Sequence, residues 1–302
     1  MNFIDFQAKF PTENEVINHF IKVRYNETIY CPHCASVKVY HKNTEPKTFT
    51  CADCKNSFSI FKGTIFENSS TSLIKWMYAI HLFLNGKKGI SGLQLKREIN
   101  VTYKTAWRML KQIRIAMGNN ENNKHFEAIV EMDETYIGGK PRKSNTGNKD
   151  SDKELPNKRG RGTKKTPVVG IIERNSKKVH AKVALPNKEG KKLTGKQLLK
   201  ILSDVTKDTA TVITDEFKSY NILNSTKYIH LKIDHTQMFA KDGIHTNNVE
   251  SFWATLKRGI FGIYHHVSNT YLQNYVNEFC FRHNNRLNNN SFDLILQKSI
   301  LV

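Results

Sequence analysis

Four cysteines lie close together in the first fifth of the chain, in two pairs of the form Cys-x-x-Cys. The pairs are Cys31 with Cys34 and Cys51 with Cys54. Two such turns joined by a hairpin can bring four thiolates into the tetrahedron that Zn²⁺ prefers, whereas a redox dithiol needs only one pair. We therefore predict a structural zinc site. A closed four-thiolate site has no open coordination position, so its metal would fold the ribbon and would not catalyse.

Three acidic residues further along could do a different kind of chemistry. Asp133 lies near the middle of an apolar, strand-like segment, and Asp215 lies at the carboxyl end of another. Glu250 falls on a predicted helix, with Lys257 seven residues later on nearly the same face. A charge inside an apolar strand is costly unless it is paired or bound to a metal. Taken singly, each acid could equally be a strand-end cap or a surface ion pair.

Carboxylates that converge from two strands and a helix form a suitable site for a pair of hard divalent cations. Mg²⁺ and Mn²⁺ prefer oxygen ligands, and two such ions can stabilise both the attacking and the leaving oxygen of a phosphoryl displacement. The sequence thus predicts a second, catalytic metal site, with Lys257 placed to hold a phosphate of the substrate.

The segments that must position these residues differ in their pattern of apolar residues. Apolar spacing changes from helical to strand-like and back, with turn formers between. We predict a multidomain protein, with an N-terminal helical segment over 1–27, a zinc ribbon over 28–67, a helix-turn-helix over 70–118, a mixed-sheet α/β domain over 125–266 and a C-terminal helix over 267–302.

The helix-turn-helix is predicted to end in a helix that begins near Tyr103. An exposed face of that helix would carry the basic side chains of Lys104, Arg108, Lys111 and Arg114. Such a face could contact DNA phosphates or bases, or it could simply be solvated.

The α/β domain is predicted from three consecutive strands followed by helix, strand, helix and strand. Residues 140–166 interrupt it with ten Lys or Arg and three acidic residues. This basic insertion cannot fold on its own, and we interpret it as a loop that orders on a phosphate backbone, the alternative being a solvated linker. Its candidate DNA contacts are Lys158, Arg159, Arg161, Lys164 and Lys165.

Composition favours a nucleic-acid partner. The 302 residues include 47 Lys or Arg and 27 Asp or Glu, a formal net charge of +20. This excess attracts polyanions without sequence selectivity. No apolar run is long enough for a membrane span, and no signal peptide is evident, so we expect a soluble, cytoplasmic protein without a membrane partner. Cysteine usage argues against disulfides and leaves Cys280 as a buried thiol.

Three blocks of sequence, together with the cysteine ribbon, resemble a known family. They are Met132-Asp-Glu-Thr-Tyr-Ile-Gly-Gly-Lys140, Thr214-Asp-Glu-Phe-Lys-Ser-Tyr220 and His245-Thr-Asn-Asn-Val-Glu-Ser-Phe-Trp253, the last continuing through Leu256-Lys-Arg-Gly-Ile260. These blocks are similar to those of bacterial insertion-sequence transposases of the zinc-ribbon DDE class, which have an RNase H-like catalytic core. The resemblance runs over almost the whole chain.

That resemblance implies a catalytic triad of Asp133, Asp215 and a third residue on the last core helix. We assign the third position to Glu250, because a carboxylate binds Mg²⁺ more strongly than a neutral amide, with Asn248 as the alternative. Lys257 is implied as an accessory DNA contact, with Arg258 beside it. The implied reaction is nicking of the element's ends by metal-activated water, followed by attack of the freed 3′-OH on target DNA.

The implied partners are double-stranded DNA, both element ends and target, and further copies of the chain. Two DNA ends must be handled together, which favours a homodimer or larger assembly on DNA. Two other functions fit the same residues: a sequence-specific DNA-binding regulator with an inactive nuclease-like domain, and a structure-specific RNase H-like nuclease that cleaves without joining.

Overall fold

The structure is a computed structural model that describes residues 2–26, 28–42, 45, 47–118, 126–138, 165–186, 193–233 and 245–300. The chain divides into two compact units. One contains residues 1–120 together with 285–302, and the other contains residues 121–284. Within the described residues, no helix is long and apolar enough to cross a membrane.

The order of helices and strands follows the predicted one as far as α7. The helices are α1 (Phe3–Lys9), α2 (Glu13–Tyr25), α3 (Leu73–Asn85), α4 (Gly92–Ile99), α5 (Tyr103–Gly118), α6 (Gly195–Ser203), α7 (Asn247–Gly259), α8 (Asn269–Asn284) and α9 (Ser291–Ile300). The strands are β1 (Val39–His41), β2 (Thr48–Cys51), β3 (Ser57–Ser59), β4 (Ile129–Ile137), β5 (Thr166–Glu173), β6 (Val179–Val183), β7 (Thr211–Thr214) and β8 (Ile229–Lys232).

The first unit combines a small sheet with helices. Strands β1, β2 and β3 form an antiparallel sheet in that order, with Val39 opposite Cys51 and Phe49 opposite Phe58. The rings of Phe49 and Phe58 stack at 6.2 Å and are among the few buried side chains of this sheet. So small a core needs a covalent or metal staple to be stable.

Helices α4 and α5 lie where the helix-turn-helix was predicted and are joined by a short turn. The turn between them spans residues 100–102, and α5 begins at Tyr103 as expected. Asn100 ends α4 in the left-handed conformation, at φ 49°, which asparagine tolerates better than most residues. The α5 face that packs inward includes Ala106, Leu110 and Ile113.

The second unit is built on a five-stranded mixed sheet in the order β6-β5-β4-β7-β8. Strands β4, β5 and β6 are antiparallel neighbours, whereas β7 runs parallel to β4 and β8 runs parallel to β7. The first strand of the unit is therefore central, with the second and third on one side and the fourth and fifth on the other. This is the RNase H-like arrangement, so the predicted fold class is confirmed.

Helices cover both faces of this sheet. On one face, Val130 and Met132 pack with the apolar side of α6 and with Tyr220. On the other face, Ile137 and the β5 residues Val168 and Ile172 pack against α7 and α8. The alternation of side chains along β4 and β5 thus separates two cores and leaves the odd-numbered residues of β4 facing α7.

The carboxyl-terminal region differs from the single helix predicted over 267–302. It contains two helices, and they belong to different units: α8 packs on β6 and α7 in the second unit, whereas α9 packs on α2, α3 and α5 in the first. The periodicity predicted helical structure there, but the Asn-rich turn over 285–290 ends α8 and returns the chain to the first unit.

Candidate functional site

The four ribbon cysteines converge as the spacing predicts. Their sulfur atoms all lie within 4.8 Å of one another. The Sγ atoms of Cys31 and Cys54 are 3.6 Å apart, as are those of Cys34 and Cys51. A disulfide would require about 2.05 Å, whereas a tetrahedral Zn²⁺ with bonds of about 2.3 Å has sulfur–sulfur edges of about 3.8 Å. The cluster therefore fits zinc.

The two cysteine turns have the same backbone geometry. In the first, the Ala35 N–H donates to the Cys31 carbonyl at 2.8 Å; in the second, the Lys55 N–H donates to the Cys51 carbonyl at 3.1 Å. Ala35 and Lys55 both have φ 59°, a strained value for residues with a side chain. The two turns therefore share one conformation, in which their four sulfur atoms lie close together.

A second cluster lies on the central strand of the other unit. Ligand oxygens of Asp133, Glu134 and Asp215 all lie within 4.8 Å of one another, and all three side chains are partly buried. The structure thus brings together the two aspartates expected from the sequence. It adds Glu134, which sequence reasoning did not select because neighbouring residues of a strand face opposite sides of the sheet.

The strand register explains why Asp133 meets Asp215. Strands β4 and β7 are paired from Ile129 with Thr211 to Glu131 with Ile213. Continuing this parallel register by two residues places position 133 beside position 215. Since pairing ends before that point, β4 and β7 are no longer held together by ladder hydrogen bonds, which leaves room for the carboxylates.

Each acid of the cluster accepts a hydrogen bond that orients it. The Trp253 indole Nε1 donates to Asp133 Oδ2 at 2.9 Å, and the Phe217 backbone N–H donates to Asp215 Oδ1 at 2.9 Å. The Tyr220 hydroxyl donates to Glu134 Oε2 at 2.8 Å. Tyr220 is fully buried, and desolvation together with the nearby acids raises its pKa well above the ordinary value, so it stays a proton donor.

The electrostatics of the cluster suit a cation. Burial raises the pKa of Asp133 from 3.8 to about 7, and the negative charges of Glu134 and Asp215 act in the same direction. A group of carboxylates in this state is stabilised by a positive ion, and carboxylate oxygens are the ligands that Mg²⁺ and Mn²⁺ prefer. The residues present therefore fit a divalent cation.

Helix α7 carries the remaining predicted residues of the site. Glu250 is exposed, its Oε1 accepts a hydrogen bond from the Thr246 hydroxyl at 3.0 Å, and it is outside the group of three converging acids. Glu250 and Lys257 flank Trp253 on one side of α7, because they are three residues before it and four after it. Lys257 is partly buried and Arg258 is exposed.

Asn248 has a different set of contacts from Glu250. Its side-chain Nδ2 donates to Glu131 Oε1 at 2.6 Å, and its backbone N–H donates to Glu131 Oε2 at 2.9 Å. Arg174 Nε donates to the same Oε1 at 2.7 Å, and Glu131 is completely buried. Sequence reasoning missed Glu131, which lies two residues before Asp133 on the same face of β4.

The basic face predicted on α5 is only partly exposed. Lys104 is exposed, Lys111 lies over the Trp107 ring with its Nζ 5.7 Å from the ring centre, and Arg108 donates to the Glu67 carbonyl at 2.9 Å. Arg114 is 3% exposed and its guanidinium lies 5.2 Å from the centre of the Phe83 ring. The prediction that Arg114 contacts DNA is wrong, because the side chain is buried within its own unit.

Most of the basic insertion lies outside the described residues. This applies to Lys158, Arg159, Arg161 and Lys164, whereas Lys165 is described and partly buried just before β5.

Two protein families match this chain. The model of the ISXO2-like transposase domain matches residues 125–284, and the model of the transposase zinc-ribbon domain matches residues 11–57. The first match coincides with the mixed-sheet unit and its acidic cluster. The second includes all four cysteines of the ribbon.

Individual relatives agree with these matches. An uncharacterized protein in the transposable element ISH50 of Halobacterium salinarum is 28% identical over 289 residues, covering 90% of this chain and 91% of that protein. An uncharacterized transposase-like protein of Haemophilus influenzae is 30% identical over 88 residues, covering 29% of this chain and 71% of that protein.

Similarity to solved structures is weaker. A pre-cleavage Mos1 transpososome matches with a TM-score of 0.29 and 11% identity over 74% of this chain and 78% of the other. A Mos1 transposase paired-end complex with the left transposon end matches with a TM-score of 0.28 and 12% identity, again over 74% of this chain and 78% of the other.

Proposed function

Because the chain belongs to the family of ISXO2-like transposases, with a transposase zinc ribbon at its N-terminal side, we propose that it cleaves and joins DNA at the ends of an insertion sequence. The observation that carries this proposal is the convergence of Asp133, Glu134 and Asp215 within 4.8 Å on the RNase H-like sheet. Three ionised acids at that separation repel one another, and this repulsion destabilises the folded unit unless the site binds a cation.

Asp133 and Asp215 are the proposed ligands of the catalytic cation, either Mg²⁺ or Mn²⁺. Glu250 remains the proposed third ligand, because α7 is attached to the cluster through Trp253, one helical turn further on. Asn248 is the weaker candidate, since its amide is engaged with the buried Glu131. When bound, the cation would stabilise the charges that develop on the attacking and leaving oxygens.

The proposed reaction has two phosphoryl transfers. Water attacks the phosphorus at an element end, the 3′-oxygen leaves and takes up a proton, and a free 3′-OH results. That 3′-OH then attacks a phosphorus of target DNA, which transfers the strand and releases a target 3′-OH. Lys257, on the same side of α7 as Glu250, would hold a phosphate by charge. No covalent link between protein and DNA is required.

Double-stranded DNA is the proposed partner of both units. The net charge of +20 supports this, as do Lys104 and Lys111 on the recognition-type helix α5, the partly buried Lys165 and the exposed Arg258. Because two ends must be cut together, we propose that a dimer or larger assembly forms on DNA.

The test is a comparison of cleavage and binding on a labelled duplex that carries an end of the element. We expect Asp133→Asn and Asp215→Asn to lower cation-dependent nicking and strand transfer by about 1,000-fold or more, the loss in rate expected when an essential catalytic group is removed. Both variants should still shift the duplex in a gel. Normal cleavage by either variant would refute the proposal.

The same assay separates the rival functions. A DNA-binding regulator would bind the duplex and never nick it in Mg²⁺ or Mn²⁺. A structure-specific nuclease would cleave without joining the 3′-OH to a second DNA molecule.

A further inference from the structure

Trp253 is the side chain of α7 that reaches the acidic cluster. It is 4% exposed, and its indole Nε1 donates to Asp133 Oδ2 at 2.9 Å. An indole N–H can donate a hydrogen bond but cannot accept one, and it does not titrate. It therefore recognises Asp133 only as an acceptor, and it fixes which oxygen of that carboxylate faces the helix.

A glycine on the neighbouring strand makes space for the indole. Gly170 is the register partner of Asp133 in β5, within the strongly apolar run Val-Val-Gly-Ile-Ile. A Cβ at position 170 would lie 2.6 Å from two ring carbons of Trp253 and 3.2 Å from a methyl carbon of Val249. A glycine in the interior of a strand weakens it and marks the close approach of another group. Here that group is the Trp253 ring.

The helix that carries Trp253 is fixed to the same strand. Glu131 Oε2 accepts the backbone N–H groups of Asn248 and Val249 at 2.9 and 3.3 Å, at the start of α7. The side chain of the N-cap residue, Thr246, does not cap these backbone N–H groups; its hydroxyl donates to Glu250 instead. Glu131 and Asp133 lie on one face of β4, so α7 is attached to this strand at two points. The Glu131 carboxylate binds the first turn of α7, and the Asp133 carboxylate binds Trp253 in its second turn.

We propose that Trp253, held in the space above Gly170, is a positioning residue for Asp133. Its N–H orients this carboxylate for cation binding, and this inference rests on the proposed function of the acidic cluster. Hydrogen bonds that orient a metal ligand typically change metal affinity by about 10- to 100-fold when they are lost. The Trp253 side chain itself touches no DNA in this scheme; it acts only through Asp133.

The test is a titration of the full-length, zinc-containing protein with Mn²⁺, followed by the paramagnetic resonance signal of the free ion. We expect Trp253→Phe to bind Mn²⁺ at the acidic cluster about 10-fold more weakly than the wild type. Trp76→Phe is the matched control: Trp76 is 1% exposed and its Nε1 donates to Ser69 Oγ at 2.9 Å, but it lies in the other unit. Its Mn²⁺ affinity should be unchanged.

Two further variants separate the hydrogen bond from the packing. Site-specific replacement of Trp253 by benzothienylalanine keeps the shape of the ring and exchanges the N–H for sulfur; we expect the same loss of about 10-fold. Gly170→Ala keeps the indole but fills its space, and should weaken Mn²⁺ binding in the same direction.

Failure of this inference and failure of the proposed function are distinguishable. If the wild type binds Mn²⁺ and nicks DNA, Asp133→Asn does neither, and the benzothienylalanine variant binds Mn²⁺ like the wild type, only the role of Trp253 is overturned. If Asp133→Asn binds Mn²⁺ as tightly as the wild type, both are overturned.

Discussion

Asp133 is the residue on which pH should act most visibly. Its pKa is about 7 in the folded protein, whereas the ordinary value of 3.8 applies to the unfolded chain. Between these two pH values the folded state binds more protons than the unfolded state, so the free energy of unfolding falls as pH rises. The contribution of this one group amounts to about 4 kcal/mol, fully present below pH 4 and lost as pH rises through about 7.

We therefore predict that Asp133→Asn changes stability differently at two pH values when no Mg²⁺ or Mn²⁺ is added. Relative to the wild type, the variant should gain about 2–3 kcal/mol in the free energy of unfolding between pH 5 and pH 8, because the amide cannot ionise. Urea denaturation at both pH values measures this difference. An equal difference between variant and wild type at both pH values would contradict the account.

The sequence identified some of the residues of the site and missed others for a physical reason. Asp133 and Asp215 could be predicted because a carboxylate inside or directly after an apolar strand is unusual in itself. Glu131 has the same sequence signature, but its role depends on Arg174 and Asn248, which are distant in the chain. Glu134 could not be selected because neighbouring residues of a strand face opposite sides of the sheet, and its contact with Tyr220 joins residues distant in the chain.

At the scale of elements, two helices begin on a carboxylate from elsewhere in the chain. Glu13 accepts the backbone N–H groups of Leu73 and Ile74 at the start of α3, at 2.7 and 2.9 Å. Glu131 does the same for α7. A negative charge at a helix N-terminus is favourable because it pairs with N–H groups that have no partner within the helix. Such caps fix the position of a helix as well as its end.

Removing the charge that anchors α7 should destabilise the second unit. We predict that Glu131→Gln lowers its free energy of unfolding by about 3–5 kcal/mol, because the buried Arg174 pair is broken. Glu127→Gln is the control, since Glu127 pairs with Lys207 at the surface, with its side chain 63% exposed, and should cost less than about 1 kcal/mol. Thermal denaturation compares them, and equal losses would show that Glu131 does not anchor the helix.

Periodicity predicted most elements of the fold, but tertiary packing decided some of their details. The start of α5 and the five strands of the mixed sheet were expected from their patterns. The burial of Arg114 was not expected, since a basic residue on a helix is normally solvent-exposed, and its contact with the Phe83 ring from α3 forms only in the folded unit. The assignment of α8 and α9 to different units depends on contacts between residues distant in the chain.

For the whole molecule, the cysteine cluster and the acidic cluster lie in separate units, and we propose separate tasks for them. The ribbon has three strands of three or four residues, so its folding should depend on zinc. We predict that Cys51→Ser loses the bound zinc and the structure of the ribbon. Cys280→Ser, at a buried position in the core of the other unit, should retain full zinc content.

This prediction is tested by measuring the zinc content of both purified variants and their binding to a duplex that carries an element end. Loss of zinc should weaken DNA binding while the mixed-sheet unit stays folded. Full zinc content in Cys51→Ser would mean that the four sulfur atoms are not the zinc ligands.

We propose above all that acids distant in the sequence hold a divalent cation at the sheet of the second unit. Anomalous X-ray scattering from crystals containing Mn²⁺ and an element end tests it directly. We predict a manganese peak coordinated by Asp133, Asp215 and Glu250, with Asn248 still bonded to Glu131. Well-ordered crystals with no peak at these aspartates, or with manganese bound only elsewhere, would contradict the account.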